Sequence, residues 1–271
     1  VASGEAKELL THPAPVHCAA DHSVTTVASR RLPNVNHLLH APPMVSPSSA
    51  PLGPLDVTRT LTGKRVLFAG ATGFVGKVSL SMLLHHYGDD LAHVYVLVRK
   101  GSAKDAKTRF FDKVATSEPF EPLRTKYGGE AESIAWLQQH VTILDGDITD
   151  PWMGMVEADA RALKGKIDVV INCAGLVSFN PSLEVGLNVN THGVKYLVEA
   201  CLFWDVPLVH MSTAFVAGNR SGLVFEDEEV VGYFPRRGEL DGRDFSLEQE
   251  LADAEKTVAR LRQQADDKAL A

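Results

Sequence analysis

Lys64-Arg65-Val66-Leu67-Phe68-Ala69 runs directly into Gly70-Ala71-Thr72-Gly73-Phe74-Val75-Gly76, and the reading of this junction decides the fold. The first six residues form a short apolar, β-branched run of strand character. After the third glycine, Val78 with Met82 and Leu80 with Leu84 repeat at helical spacing. A strand that ends in a glycine turn and feeds a helix opens a dinucleotide-binding βαβ unit. In such a turn Gly70 permits the tight bend, Gly73 lets the backbone approach a diphosphate, and Gly76 lets the helix pack close to its strand. The diphosphate lies at the helix N-terminus, where free N–H groups and the positive end of the helix dipole favour an anion. Thr72, Phe74 and Val75 complete the expected phosphate loop. A glycine-rich turn that only packs is the alternative reading.

Outward from this junction, short apolar runs recur at Val94 to Val98, Val141 to Leu144, Ile167 to Ile171 and Val206 to Met211. The segments between them are long enough for crossover helices, so the expected architecture is α/β, a doubly wound parallel sheet. Near-continuous Val, Ile and Leu fits strands covered on both faces. The second run ends in Arg99-Lys100-Gly101. An enzyme using NAD commonly places an acid there to bind the adenosine ribose, whereas two cations suit a 2′-phosphate. NADPH is the expected cofactor, an exposed basic pair at a strand end being the alternative. Ile171-Asn172-Cys173-Ala174-Gly175 closes the fourth run, where small residues leave room for the ribose and nicotinamide side of a cofactor.

Composition changes near residue 60. Eight of the fourteen prolines lie before it, charges are sparse, and no helical or strand period appears, so residues 1–60 read as a disordered extension and 61–271 as the Rossmann domain. His12, His17, Cys18 and His22 match no structural zinc spacing, and no metal is expected. A formal charge of −7 without a basic cluster argues against nucleic acid as a partner. Three widely spaced cysteines point to a reducing compartment, and the absence of a long apolar run to a cytoplasmic protein that makes at most peripheral membrane contact.

The G-x-x-G-x-x-G spacing of the turn resembles that of the extended short-chain dehydrogenase/reductases. Taken with Val94 to Lys100, Gly146-Asp147-Ile148-Thr149 followed by Pro151 and Gly154, Ile171 to Ala174 with Val177-Ser178-Phe179 and Leu183, and His210-Met211-Ser212-Thr213-Ala214, it looks like the successive signatures of fatty acyl-CoA reductases and the related thioester-reductase domains over about residues 62 to 218. Ala69 stands where members usually have Thr. The resemblance implies NADPH-dependent reduction of an acyl-CoA or acyl-carrier thioester to aldehyde or alcohol. It implies that Asp147 accepts from the adenine amine, that Ile148 packs on the adenine ring, and that Asn190 braces the active site from the following helix, although a structural asparagine would look the same. It places Thr213, with Ser212 as second choice, at the hydroxyl position that steadies the carbonyl oxygen.

The family's Tyr-x-x-x-Lys pair is missing. None of Tyr87, Tyr95, Tyr127, Tyr196 and Tyr233 has Lys four positions later. Ser246 and Gln249 form a capping box ahead of an apolar helical face at Leu247, Leu251, Ala254, Val258 and Leu261, and the chain stops at Ala271. The expectation is therefore a domain cut short before its tyrosine and acyl-binding region, inactive alone. The competing readings are a non-catalytic dinucleotide-binding protein of the same fold and another extended reductase acting on a nucleotide sugar or hydroxy compound.

Overall fold

Five strands, β1 (Arg65–Ala69), β2 (His93–Val98), β3 (Val141–Asp145), β4 (Val169–Asn172) and β5 (Leu208–His210), make one sheet in the order β3-β2-β1-β4-β5. Every neighbouring pair is parallel. The computed structural model describes residues 56–102, 104–217, 222–225 and 246–269, all within one unit spanning Ala50–Ala271. The strand order grows outward from β1 in one direction and then reverses through β4. This puts a crevice at the C-terminal ends of β1 and β4, the switch point where α/β sheets bind ligands.

A first short helix, α1 (Val57–Leu61), is capped by Asp56, whose carboxylate accepts from the Arg59 N–H at 2.9 Å. It falls at the end of the stretch expected to be an extension, and the rest of that stretch, with His12, His17, Cys18 and His22, lies outside the described residues. After β1 comes α2 (Phe74–Tyr87), and after β2 come α3 (Ala106–Phe110), a π-helical turn at Phe111–Ala115, α4 (Glu121–Tyr127) and α5 (Glu130–His140). The link from β3 to β4 holds α6 (Glu157–Ala162). Between β4 and β5 lie α7 (Leu183–Gly186), a π-helical turn at Leu187–His192 and α8 (Gly193–Trp204), and Leu247–Ala269 forms α9.

The centre of the sheet is buried on both faces. Val66, Phe68, Val94 and Val96 pack with Leu80 and Leu84 of α2 and with Phe110, Phe120 and Leu137. On the other face Leu67, Ala69, Leu97 and Val170 pack with Met153, Leu163, Leu197 and Trp204. Alternate residues of β1 thus enter different cores, which is why its sequence is apolar throughout. Met82 is exposed while Leu80 and Leu84 are fully buried, so only one of the two helical rows seen in the sequence is a core face.

The strand ends differ slightly from the apolar runs. Ile167 is buried, but pairing of β4 with β1 begins after Asp168, whose carboxylate accepts from the Arg65 N–H and guanidinium at 2.8 Å. β5 is shorter than Val206 to Met211, although backbone bonds extend its ladder to Pro207 and Met211. Val170 N–H donates to the Pro207 carbonyl at 3.0 Å, and Met211 N–H to that of Asn172 at 2.9 Å. In α9 the Ser246 hydroxyl accepts from Gln249 N–H at 3.2 Å, as the capping pattern predicts. Leu251, Ala254 and Val258 are half-buried, and Leu247 and Leu261 are exposed. Among the described residues no helix is long and apolar enough to cross a membrane.

Candidate functional site

The glycine turn builds one wall of the crevice. Gly70 has φ +92°, and a Cβ there would lie 2.3 Å from Ala174 N and 2.4 Å from Cys173 C, so the turn after β1 meets the end of β4 backbone to backbone. A Cβ on Gly76 would fall 2.0 Å from the Gly70 carbonyl oxygen, which presses the first turn of α2 onto the glycine turn. Gly73 differs. Its nearest atom would be that same oxygen at 3.5 Å, which leaves the cleft side open. Gly73 also caps α2 without any side-chain hydrogen bond, so the first-turn N–H groups have no capping oxygen and suit an anion. Thr72 and Gly73 line the cleft, whereas the side chains of Phe74 and Val75 are exposed and do not.

The opposite wall comes from the ends of β2 and β3. Leu97, Arg99, Gly146, Asp147, Ile148 and Thr149 line it, and Lys100 is exposed outside the lining. Arg99 and Asp147, expected to meet different parts of a cofactor, meet each other, with Nη1 to Oδ2 at 3.2 Å. Burial pushes the Asp147 carboxyl up, but hydrogen bonds from Thr149 and the Arg99 guanidinium outweigh it and hold the group below its ordinary value. Arg109 donates to the Arg99 carbonyl at 2.6 Å and fixes the strand end. Behind Asp147, Trp152, Met153 and Gly154 all adopt positive φ. That left-handed turn packs under the cleft wall so closely that a Cβ on Gly146 would lie 2.2 Å from the Met153 carbonyl oxygen, and one on Gly154 2.7 Å from Asp147 N.

At the floor, Cys173, Ala174 and Gly175 line the cleft with Val189, while Asn172 is fully buried. The Asn172 Oδ1 accepts from Ala174 N–H at 2.9 Å, and its Nδ2 donates to the Ala174 carbonyl at 3.2 Å and lies 3.0 Å from His210 Nδ1. A backbone N–H can only donate, so the amide orientation is determined. Nδ2 therefore faces His210, whose Nδ1 must accept and whose ring proton sits on Nε2. Asn172 thus frames the floor rather than facing a ligand. Asn190, on the π-helical turn, pairs both ends of its amide with Leu176, accepting from the N–H at 2.8 Å and donating to the carbonyl at 3.0 Å. It holds the loop after Gly175. Burial raises the thiols of Cys173 and Cys201, the latter to about 12, so neither is poised as a nucleophile.

Ser212 and Thr213 are exposed just beyond β5, outside the cleft lining. Thr213 Oγ1 accepts from Phe215 N–H at 3.3 Å and retains its own proton to donate. The lining residues that sequence reasoning passed over are Leu97, Gly146, Thr149, Cys173 and Val189. Gly146, Thr149 and Cys173 stood inside quoted motifs. Leu97 lay within the Val94 to Lys100 run, and Val189 directly precedes Asn190.

A family model described as "Male sterility protein" matches residues 68–266. An alcohol-forming fatty acyl-CoA reductase of Simmondsia chinensis is 30% identical over 203 residues, which cover 73% of this chain and 40% of that protein. A fatty acyl-CoA reductase 1 of Xenopus laevis is 33% identical over 180 residues, covering 65% and 32%. Among solved structures, the terminal R domain from the myxalamid biosynthetic pathway superposes with a TM-score of 0.50 at 25% identity, over 62% of this chain and 39% of that one. The chain spans 40% and 32% of the lengths of these two reductases.

Proposed function

The chain belongs to the male sterility protein family, that of the fatty acyl-CoA reductases, and on that premise we propose that it holds NADPH for the reduction of a fatty acyl thioester, on CoA or a carrier, to aldehyde or alcohol. The observation that carries the reading is the cleft at the switch point, where the open face of Gly73 and the uncapped start of α2 lie opposite Arg99. A nicotinamide dinucleotide fits these residues. The α2 N-terminus and the glycine turn bind the diphosphate, Asp147 and Ile148 border the adenine, and Ala174 and Gly175 leave room toward the nicotinamide. The exposed Arg99–Asp147 pair is weakly held, and Arg99 exchanges that partner for a 2′-phosphate, with Lys100 adding charge nearby. When bound, the cofactor supplies the hydride. Thr213, with Ser212 beside it, donates a hydrogen bond to the carbonyl oxygen of the substrate. No tyrosine here has the Lys partner of the family's proton donor, so binding rather than turnover is the measurement that tests these residues. The free thiols Cys173 and Cys201 suit the cytoplasm.

The test is calorimetry with both nicotinamide cofactors. Arg99→Ala should weaken NADPH by about 1.5 to 3 kcal/mol and NADH far less, because it removes a charge-assisted bond to a group that only NADPH has. Equal losses, or a parent protein that prefers NADH, would remove the basis for assigning NADPH.

A further inference from the structure

The loops after β4 and β5 carry an apolar surface that the cofactor cleft does not use. Phe179 is 90% exposed and Phe215 73%, and their rings meet edge to face with centroids 5.8 Å apart. Val177, Met211 and Val216 are exposed on the same two segments. Single exposed apolar residues are ordinary, but a cluster on two adjoining loops marks a binding surface.

Position and charge together indicate the occupant. Val177 and Phe179 follow closely on Gly175, which lines the floor of the cleft, and the Phe215 N–H bonds to the Thr213 hydroxyl. The ring pair therefore joins the loop leaving the cleft to the loop carrying Ser212 and Thr213. From Ala174 to Leu183 and from Val206 to Ala217 there is no Lys, Arg, Asp or Glu. A nucleotide sugar or a carrier-protein surface calls for charged and hydrogen-bonding partners, whereas an alkyl chain needs none.

We propose that the Phe179–Phe215 pair is the landing surface for the alkyl chain of the substrate and sets how strongly its length is felt. The proposal rests on the reading of the chain as a thioester reductase. It places part of the acyl contact within the described residues.

The experiment titrates the NADPH-loaded 271-residue chain with butyryl-, octanoyl- and dodecanoyl-CoA, below micelle-forming concentrations, by calorimetry. Affinity should climb by roughly tenfold for each four methylenes, far short of the roughly fourfold per methylene of complete burial, because the surface is open on one side. Phe179→Ser with Phe215→Ser should flatten that series to within about twofold and leave NADPH affinity unchanged, which also reports that the fold survives. Phe215→Leu should keep most of the slope. A flat series in the parent, or a slope that persists in the double variant, would overturn the proposal while NADPH binding leaves the cofactor assignment standing. Failure of the parent to bind NADPH would bring down the functional reading and this proposal with it. If the serines instead dissociate a self-associated parent and leave the slope intact, the surface is a protein interface and the proposal falls.

Discussion

Both ends of the Asn172 amide are used inside the protein, on Ala174 of its own loop and on His210 of the neighbouring strand. The same loop is where Gly70 touches down, so the shape of the cleft depends on a side chain that never faces it. From the sequence, Asn172 reads as one of several small or polar residues giving a cofactor room. Its framing role was hidden because His210 lies 38 residues away. Asn172→Ala should strip the Ala174 N–H of its side-chain partner and leave a gap where a fully buried side chain stood, at a cost of about 1 to 2 kcal/mol in urea unfolding. Nitrogen NMR of the parent should find the His210 ring proton on Nε2. A proton on Nδ1 would contradict this arrangement.

Between elements, the starts of β1 and β4 are clamped by Arg65 and Asp168. The guanidinium gives two bonds of 2.8 Å to the carboxylate, the Arg65 N–H adds a third, and Nη1 also donates to the Gly165 carbonyl at 2.6 Å. Hydrogen bonding to Arg65 holds the Asp168 carboxyl down at about 2, against about 3.9 in an unfolded chain. A carboxylate with a depressed pKa stabilises the fold fully above about pH 4, and that contribution fades as pH falls toward about 2. The pair is partly exposed, so its contribution is modest. Asp168→Asn should therefore melt below the parent at neutral pH, and the two melting curves should converge between about pH 4 and pH 2. A gap that stays constant down to pH 2 would show that the carboxylate charge is not what joins the strands. The apolar run from Ile167 made the strand legible and overshot its start, because the run cannot reveal that Asp168 turns its side chain back onto β1.

Across the whole molecule, stability is concentrated where β1, β2 and β4 are covered on both faces and thins toward α9. That helix rests on half-buried Leu251, Ala254 and Val258, with a His192–Glu255 pair at 3.4 Å and an Arg262–Glu184 pair at the surface. Hydrogen exchange should accordingly protect the amides of β1 and β2 up to the global unfolding free energy, with α9 exchanging orders of magnitude faster through local opening. Equal protection of α9 would mean that its surface ion pairs hold far more than such pairs usually do. The parallel sheet, the glycine turn and the place of the cleft were all present in the sequence. Two-sided burial writes an unbroken apolar run, and the steric demands of a tight turn are met by residues adjacent in the chain. The pairings at the C-terminal edge of the sheet, Arg99 with Asp147, Asn172 with His210, Asn190 with Leu176 and Phe179 with Phe215, were decided only by the tertiary structure. Apart from Asn190 with Leu176, which closes within one crossover, they join the ends of different strands, and no period in a linear sequence records which side chains converge once parallel strands bring their ends together.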